Sequence, residues 1–337
     1  MNQFPSEVKE KLNSIIQDMS DHHYLFTAHP SKDFSRQHLG KLSFYDTMQL
    51  ILSMGKGNTS DEIMEYFDYN PSVIPSQSAF NQRRNLIVPY AFEYLFTEFS
   101  ASFPRTTHRF KDDMCILAVD GCHICYSTNA EIIEDYCKPS GRKGHNHMHL
   151  NGLVDVMSKS FLDVIIQPGQ HPDERKAMRT MIDHFRPENP DKYIITADRG
   201  YESYNTIFQC ELKGFYYVFR VKSPASGSCI LSSFKNELPD DQEEFDVEVK
   251  RFFTDKYTKI MKEQSDVYHY MNPYKTIPHF QEWLNNKHLA YLSFRVLKIK
   301  TAKNTYEYII TNLPFSFDIN DIKDCYHWRW GVMPISG

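Results

Sequence analysis

Apolar positions recur with a helical period through the first 110 residues and with a two-residue period through much of the remainder, so the chain divides into a helical part and a sheet-forming part. In the first part, Ser43 opens SFYDTMQLILSMG with Asp46 three positions on and Gly55 at its end. Thr59 opens TSDEIMEYF with Glu62 three positions on. Both openings predict capping boxes, in which side chain and backbone satisfy each other's free N–H groups. A third helix is predicted near Ser78 in SAFNQRRNLI, and a fourth over PYAFEYLFTEF with Pro89 in its first turn, where no intrahelical N–H is needed. Residues 1–110 thus form a small helical domain. It is either a packing cap or a DNA-end reader in which Arg83 and Arg84 touch phosphates.

The texture changes at Met114. MCILAVDG, MHLNGLVDVMS and SFLDVIIQPG predict three strands bounded by turn residues. In DERKAMRTMIDHF, Met178, Met181, Ile182 and Phe185 share one helical face. Pro187 and Pro190 end that helix before KYIITADRG forms a fourth strand, and a helix over SYNTIFQCELKG and a strand over FYYVFRVKS follow. Residues 111–223 therefore read as strand, strand, strand, helix, strand, helix, strand. Residues 224–312 read as an inserted β region with alternating runs AYLSFRVLKIK and YEYIITNLP, and 313–337 as the start of a last helix capped by Asp318 or Asn320.

Composition narrows the function. The chain has 337 residues, 41% hydrophobic and 24% charged, which fits a folded globular protein; no run is long and apolar enough for a membrane span, and no signal-peptide core opens it. A soluble, cytoplasmic protein with no membrane partner is expected. Seven cysteines suit free thiols in a reducing compartment. A net charge of −5, with both signs mixed throughout, excludes a bulk electrostatic coat for nucleic acid, so any DNA binding is local. The acidic stretch 240–248 is expected as a solvated loop or strand edge that repels nonspecific DNA.

Asp120 and Asp198 each end a predicted strand and precede a turn. If the helix crosses over to lay the fourth strand beside the first, two carboxylates far apart in sequence converge. Converging carboxylates suit Mg²⁺ or Mn²⁺, hard cations that prefer oxygen ligands and serve phosphodiester attack. Taken singly, each aspartate is ordinary turn chemistry. A competing constellation is zinc held by Cys122 and Cys125 of a CxxC, with His145, His147 and His149 alternating on one strand; the bland alternative is thiols and imidazoles lining a polar cleft. Trp328 and Trp330 are expected in the core.

The runs ILAVDG, GHNHMHLNGLVDV, VIIQPG, ITADRGYESYN and YHWRWG, in that order, resemble bacterial insertion-sequence transposases of the DDE class, and within them the family-four type marked by a Tyr-Arg-Glu-Lys signature. FSRQHLGKLSFYDTMQLILSMG and SAFNQRRNLI are similar to the same family's N-terminal part. The resemblance implies a ribonuclease H-like α/β fold with a mixed sheet and a β insertion before the last catalytic helix, and Mg²⁺-dependent hydrolysis and strand transfer at element ends. The implied partners are double-stranded DNA at terminal inverted repeats, target DNA, and a second copy in a synaptic homodimer near the bacterial nucleoid.

Residue by residue, the resemblance assigns Asp120 and Asp198 as the first two catalytic, metal-binding carboxylates, and Tyr326 and Arg329 as signature residues that bind DNA near the cleaved end. Arg199, beside Asp198, is a further DNA candidate. The third carboxylate would stand four residues after Arg329, where this chain has Met333, and the signature lysine would fall beyond Gly337. A thioether is a poor Mg²⁺ ligand, so a C-terminally truncated or frameshifted, catalytically defective transposase is expected. The alternative is a noncatalytic DNA-binding remnant that competes with intact transposase. Glu202 is the nearest spare carboxylate, tied to the same turn as Asp198.

Overall fold

The computed structural model describes residues 4–28, 34, 42–103, 109–227, 229–259, 263–275, 278–302 and 305–329. Met333 and Trp330, with the expectations placed on them, lie outside the described residues. The chain divides into two compact units, Met1–Arg105 and Thr106–Gly337.

In the first unit, α1 (Phe4–Asp21) precedes α2 (Phe44–Ser53), α3 (Thr59–Tyr66), α4 (Gln77–Arg84) and α5 (Tyr90–Ala101). The Ser43–Asp46 capping box forms as expected. At α3 the expectation is corrected: Asn58, not Thr59, is the cap, and Glu62 turns back to accept the N–H groups of Gly55 and Gly57. The unit closes around Ile16, Met19, Phe26, Phe44, Met48 and Ala91. Arg83 is 7% exposed, with its guanidinium 4.9 Å from the centre of the Phe34 ring. It is therefore turned away from the phosphates it was expected to meet, whereas Arg84 is exposed at the end of α4.

The second unit is built on one sheet in the order β2-β3-β1-β5-β6-β10-β9-β7-β8, with β4 pairing β3. Its strands are β1 (Cys115–Tyr126), β2 (Tyr136–Cys137), β3 (His145–Asp155), β4 (Ser160–Pro168), β5 (Tyr193–Ala197), β6 (Tyr216–Val221), β7 (Phe245–Thr254), β8 (Tyr268–Tyr270), β9 (Leu289–Ala302) and β10 (Thr305–Thr311). Its helices are α6 (Glu174–His184), α7 (Tyr204–Lys213), α8 (Pro278–Trp283) and α9 (Ile319–Trp328). β1, β3 and β4 pair antiparallel, α6 crosses over, and β5 lies parallel to β1 with β6 parallel to β5. This is the mixed α/β, ribonuclease H-like core that was expected. The strands of 224–312 continue the same sheet through the antiparallel β10–β6 pair.

Period-two alternation sorts the core. Leu117, Val119, Ile195 and Ala197 face the cluster that includes Met178, Met181 and Ile182 of α6 and Phe208 of α7. Ile116, Ala118 and Ile194 face Ile322, Cys325 and Tyr326 of α9. Full burial of a side chain such as Met178 or Ile322 contributes about 1.5–3 kcal/mol, so both faces anchor their helices firmly. α9 starts at Asp318, whose carboxylate accepts the N–H groups of Asn320 and Asp321 in a capping box.

The acidic stretch is the largest correction. Arg295 holds Asp246, Lys298 reaches Asp240 at 3.4 Å, Lys300 holds Glu243, and Lys323 reaches Glu244 at 3.0 Å. These carboxylates neutralise basic side chains of β9 and α9, which removes the free negative field that would repel DNA. The zinc expectation also fails on geometry. β1 runs straight through Cys122 and Cys125, and a three-residue step in an extended strand sends the two thiols to opposite faces. Trp328 is 47% exposed on α9 rather than in the core.

Candidate active site

β1 and β5 are in register at Ala118 and Thr196, and Asp120 and Asp198 each lie two residues beyond. Even parity from those partners sends both side chains toward the α9 face, where the strands stop pairing and a rim opens. Asp120 does not end its strand: β1 continues to Tyr126 as one arm of a ladder with β3, and Asp120 opposes Gly152. Asp198 follows β5 and caps a short 3₁₀ turn, Arg199–Tyr201.

One oxygen of each carboxylate is engaged locally. Asp120 Oδ1 accepts from the Gly121 N–H at 2.9 Å, and Asp198 Oδ1 accepts from the Arg199 N–H at 2.6 Å and the Tyr326 hydroxyl at 3.4 Å. The other oxygen of each turns to one shared cation. Arg329 Nη2 stands 3.5 Å from Asp120 Oδ2 and 3.9 Å from Asp198 Oδ2. Arg329 also donates from Nη1 to the Tyr326 hydroxyl at 3.2 Å. Burial pushes the Tyr326 phenol up to about 12, so it stays protonated and donates to Asp198 at neutral pH.

The structure thus brings four of the candidates together: Asp120, Asp198, Tyr326 and Arg329. Tyr326 is 1% exposed, so it holds Asp198 and offers DNA no surface, contrary to the contact expected of it. Arg199 is exposed next to Asp198. Glu202 is spent elsewhere: it is buried, and its carboxylate accepts the Lys222 N–H at 2.8 Å.

Three contributors were not found in the sequence. Arg220 on β6 lies 3.5 Å from Asp198 Oδ1 and 3.3 Å from Glu307; a lone arginine in the apolar run FYYVFRV was the available signal. Tyr201 is 3% exposed, and its hydroxyl has no hydrogen-bond partner among the described residues. Its phenol is pushed up by burial first and then by Glu174, Asp120 and Asp198. His149, from the alternating histidines of β3, is 2% exposed and overlies Gly121: a Cβ on that glycine would lie 2.5 Å from His149 Nε2. The glycine after Asp120 is there because an imidazole occupies the side-chain space.

This geometry meets a family match. A model described as Transposase DDE domain matches residues 111–332. The chain belongs to the DDE transposase family. No curated protein matches it. Among solved structures, this transposase is similar to a chain of the cryo-EM structure of the piggyBac transposase synaptic complex with hairpin DNA, at 9% identity and a TM-score of 0.43, over 96% of this chain and 64% of that one. The present transposase therefore spans less than two thirds of that chain's length, and the assignment rests on the family match and the rim.

DDE transposases act with divalent cations, and the donor set at the rim fits one. Two hard oxygen donors face a common positive charge, with side chains about 30% exposed, open to an incoming ion. Among the described residues no group of three or more His, Cys, Asp or Glu side chains is arranged to hold a metal ion; the guanidinium of Arg329 stands between the two aspartates instead. No described helix is long and apolar enough to cross a membrane.

Proposed function

We propose that this transposase acts at the ends of an insertion sequence of the family-four type, with Mg²⁺ or Mn²⁺ bound by Asp120 and Asp198, hydrolysing a phosphodiester and passing the freed 3′-hydroxyl to target DNA. The observation that carries this reading is the pair of Oδ2 atoms turned to one cation while each Oδ1 is held by its own turn. Bound ions would supply Lewis-acid polarisation of the phosphate and a more acidic attacking water. The chain's own side chains do the rest. Tyr326 and Arg220 fix Asp198, the Gly121 N–H fixes Asp120, and Arg329 balances the negative charge of the rim until substrate arrives.

Exposed Arg199 and Trp328 flank the rim and would meet the DNA backbone and a base or sugar face, and exposed Arg84 would add a phosphate contact. The partners are terminal inverted repeats, target DNA and a second copy of the chain at the other end, in a bacterial nucleoid. A second reading, a remnant that occupies DNA ends without cutting them, is favoured by Met333 in place of the lineage's third carboxylate. A mobility-shift assay on inverted-repeat DNA, followed by addition of Mg²⁺, tests both. Binding with metal-dependent nicking supports the enzyme, binding without nicking supports the remnant, and no binding overturns both.

A further inference from the structure

Resting on the reading of Asp120 and Asp198 as the cation pair, we propose that Glu174 is the third acidic group of that site, closing it from the face of the sheet opposite Arg329. Glu174 is the first residue of α6. Its Oε1 stands 3.1 Å from His149 Nε2, the atom that fills the side-chain space of Gly121 next to Asp120. Its Oε2 stands 3.5 Å from where a Cβ on Gly200 would lie, two residues after Asp198. One carboxylate is thus wedged between the two turns that carry the aspartates. The neighbouring Arg175 ties α6 to the second turn by donating from Nε to the Gly200 carbonyl at 3.0 Å.

Two buried polar side chains point to a ligand at this place. The Tyr201 hydroxyl lies in the field of Asp120, Asp198 and Glu174 with no hydrogen-bond partner among the described residues. His149 has neither ring nitrogen in an aligned hydrogen bond, although Nε2 is close to Glu174. Leaving buried polar groups unpaired costs about 1–3 kcal/mol each, a cost that a hydrated cation at the rim would offset. An acid in the first turn of a helix also favours the helix dipole. That role alone would leave cation binding untouched, which gives the test its contrast.

The experiment uses the full chain and needs no transposition activity. Fe²⁺ with ascorbate and peroxide, which cuts backbone beside bound metal, is applied to the wild-type protein and the fragments are mapped. Cuts near 120, 198 and 174, all suppressed by excess Mg²⁺, are the expected result. Cuts near 120 and 198 with none near 174 overturn the role of Glu174 and leave the aspartate pair standing; no cut near 120 or 198 overturns both. In parallel, Mn²⁺ binding followed by electron paramagnetic resonance should weaken at least 10-fold in Glu174→Gln, with partial recovery in Glu174→Asp. Unchanged Mn²⁺ affinity in a folded Glu174→Gln, beside a loss in Asp120→Asn, sinks the proposal.

Discussion

At the β7–β9 end of the sheet, Arg295 is 3% exposed and spends its guanidinium on Asp246 and on the carbonyl oxygens of Leu313, Pro314 and Phe317. At the β1–β5 rim, Arg329 is 4% exposed, yet it stands 3.5 and 3.9 Å from two aspartates that keep about 30% of their side-chain surface in water. Both sites hold a buried arginine against acids. The first is saturated with hydrogen bonds and has one arrangement; the second is a loose triangle in which one positive charge serves two negative ones. A saturated pair stabilises the fold, whereas an unsaturated one leaves room for a different cation and for function.

That contrast breaks first at Arg295. Arg295→Met should cost about 3–5 kcal/mol in urea unfolding, because Asp246 and three carbonyl oxygens lose their partner inside the protein. A loss below about 1 kcal/mol would erase the distinction between the two ends. Between them lies an acid with no cation at all. Burial pushes Glu211 up to about 7 against an ordinary 4.5, despite opposing hydrogen bonds from Asn312 and Tyr217. A raised carboxyl contributes stability that is present below about pH 4.5 and is lost as pH rises through about 7, an effect of about 3 kcal/mol. Glu211→Gln should therefore flatten the pH dependence of unfolding between those limits.

The rim is sharpened by metal. Mn²⁺ at about one hundred times its dissociation constant should add about 2.7 kcal/mol of stability to the wild-type chain and almost none to Asp120→Asn, read as a shift in melting temperature. Gly121→Ala probes the imidazole packed beside the rim. Its methyl would meet His149 Nε2 at 2.5 Å, so a loss of about 1–3 kcal/mol is expected, while Gly227→Ala, with nothing within 4 Å of the new Cβ, should be close to neutral. Last, Lys300→Ala removes an exposed partner of Glu243 and should change stability by about 0–1 kcal/mol in the same urea series.

How legible each feature was depended on the range of its cause. The helix starts at Ser43 and Asp318 were readable because capping is decided within four residues. The start at Thr59 was misread by one position because Asn58 competes for the same N–H groups. Asp120 and Asp198 could be paired from sequence because strand, helix and strand imply a crossover that brings equivalent positions together. Glu174 and His149 carried no such local mark: a first-turn acid and one of three alternating histidines look ordinary until the sheet places them beside Gly121 and Gly200. The stretch 240–248 was misjudged for the same reason, since the partners of Asp240, Glu244 and Asp246 lie 58, 79 and 49 positions away on β9 and α9.

The sequence by itself determined the order of elements, the alternation that buries two faces of one sheet, and the two aspartates that follow apolar runs. These are local properties of side-chain period and turn chemistry, and they hold wherever the elements end up. Only the tertiary structure decided which charges are spent and which are held open. Whether an acid is neutralised depends on the three-dimensional approach of residues far apart in the chain, and that separates the satisfied pair at Arg295 from the shared charge at Arg329.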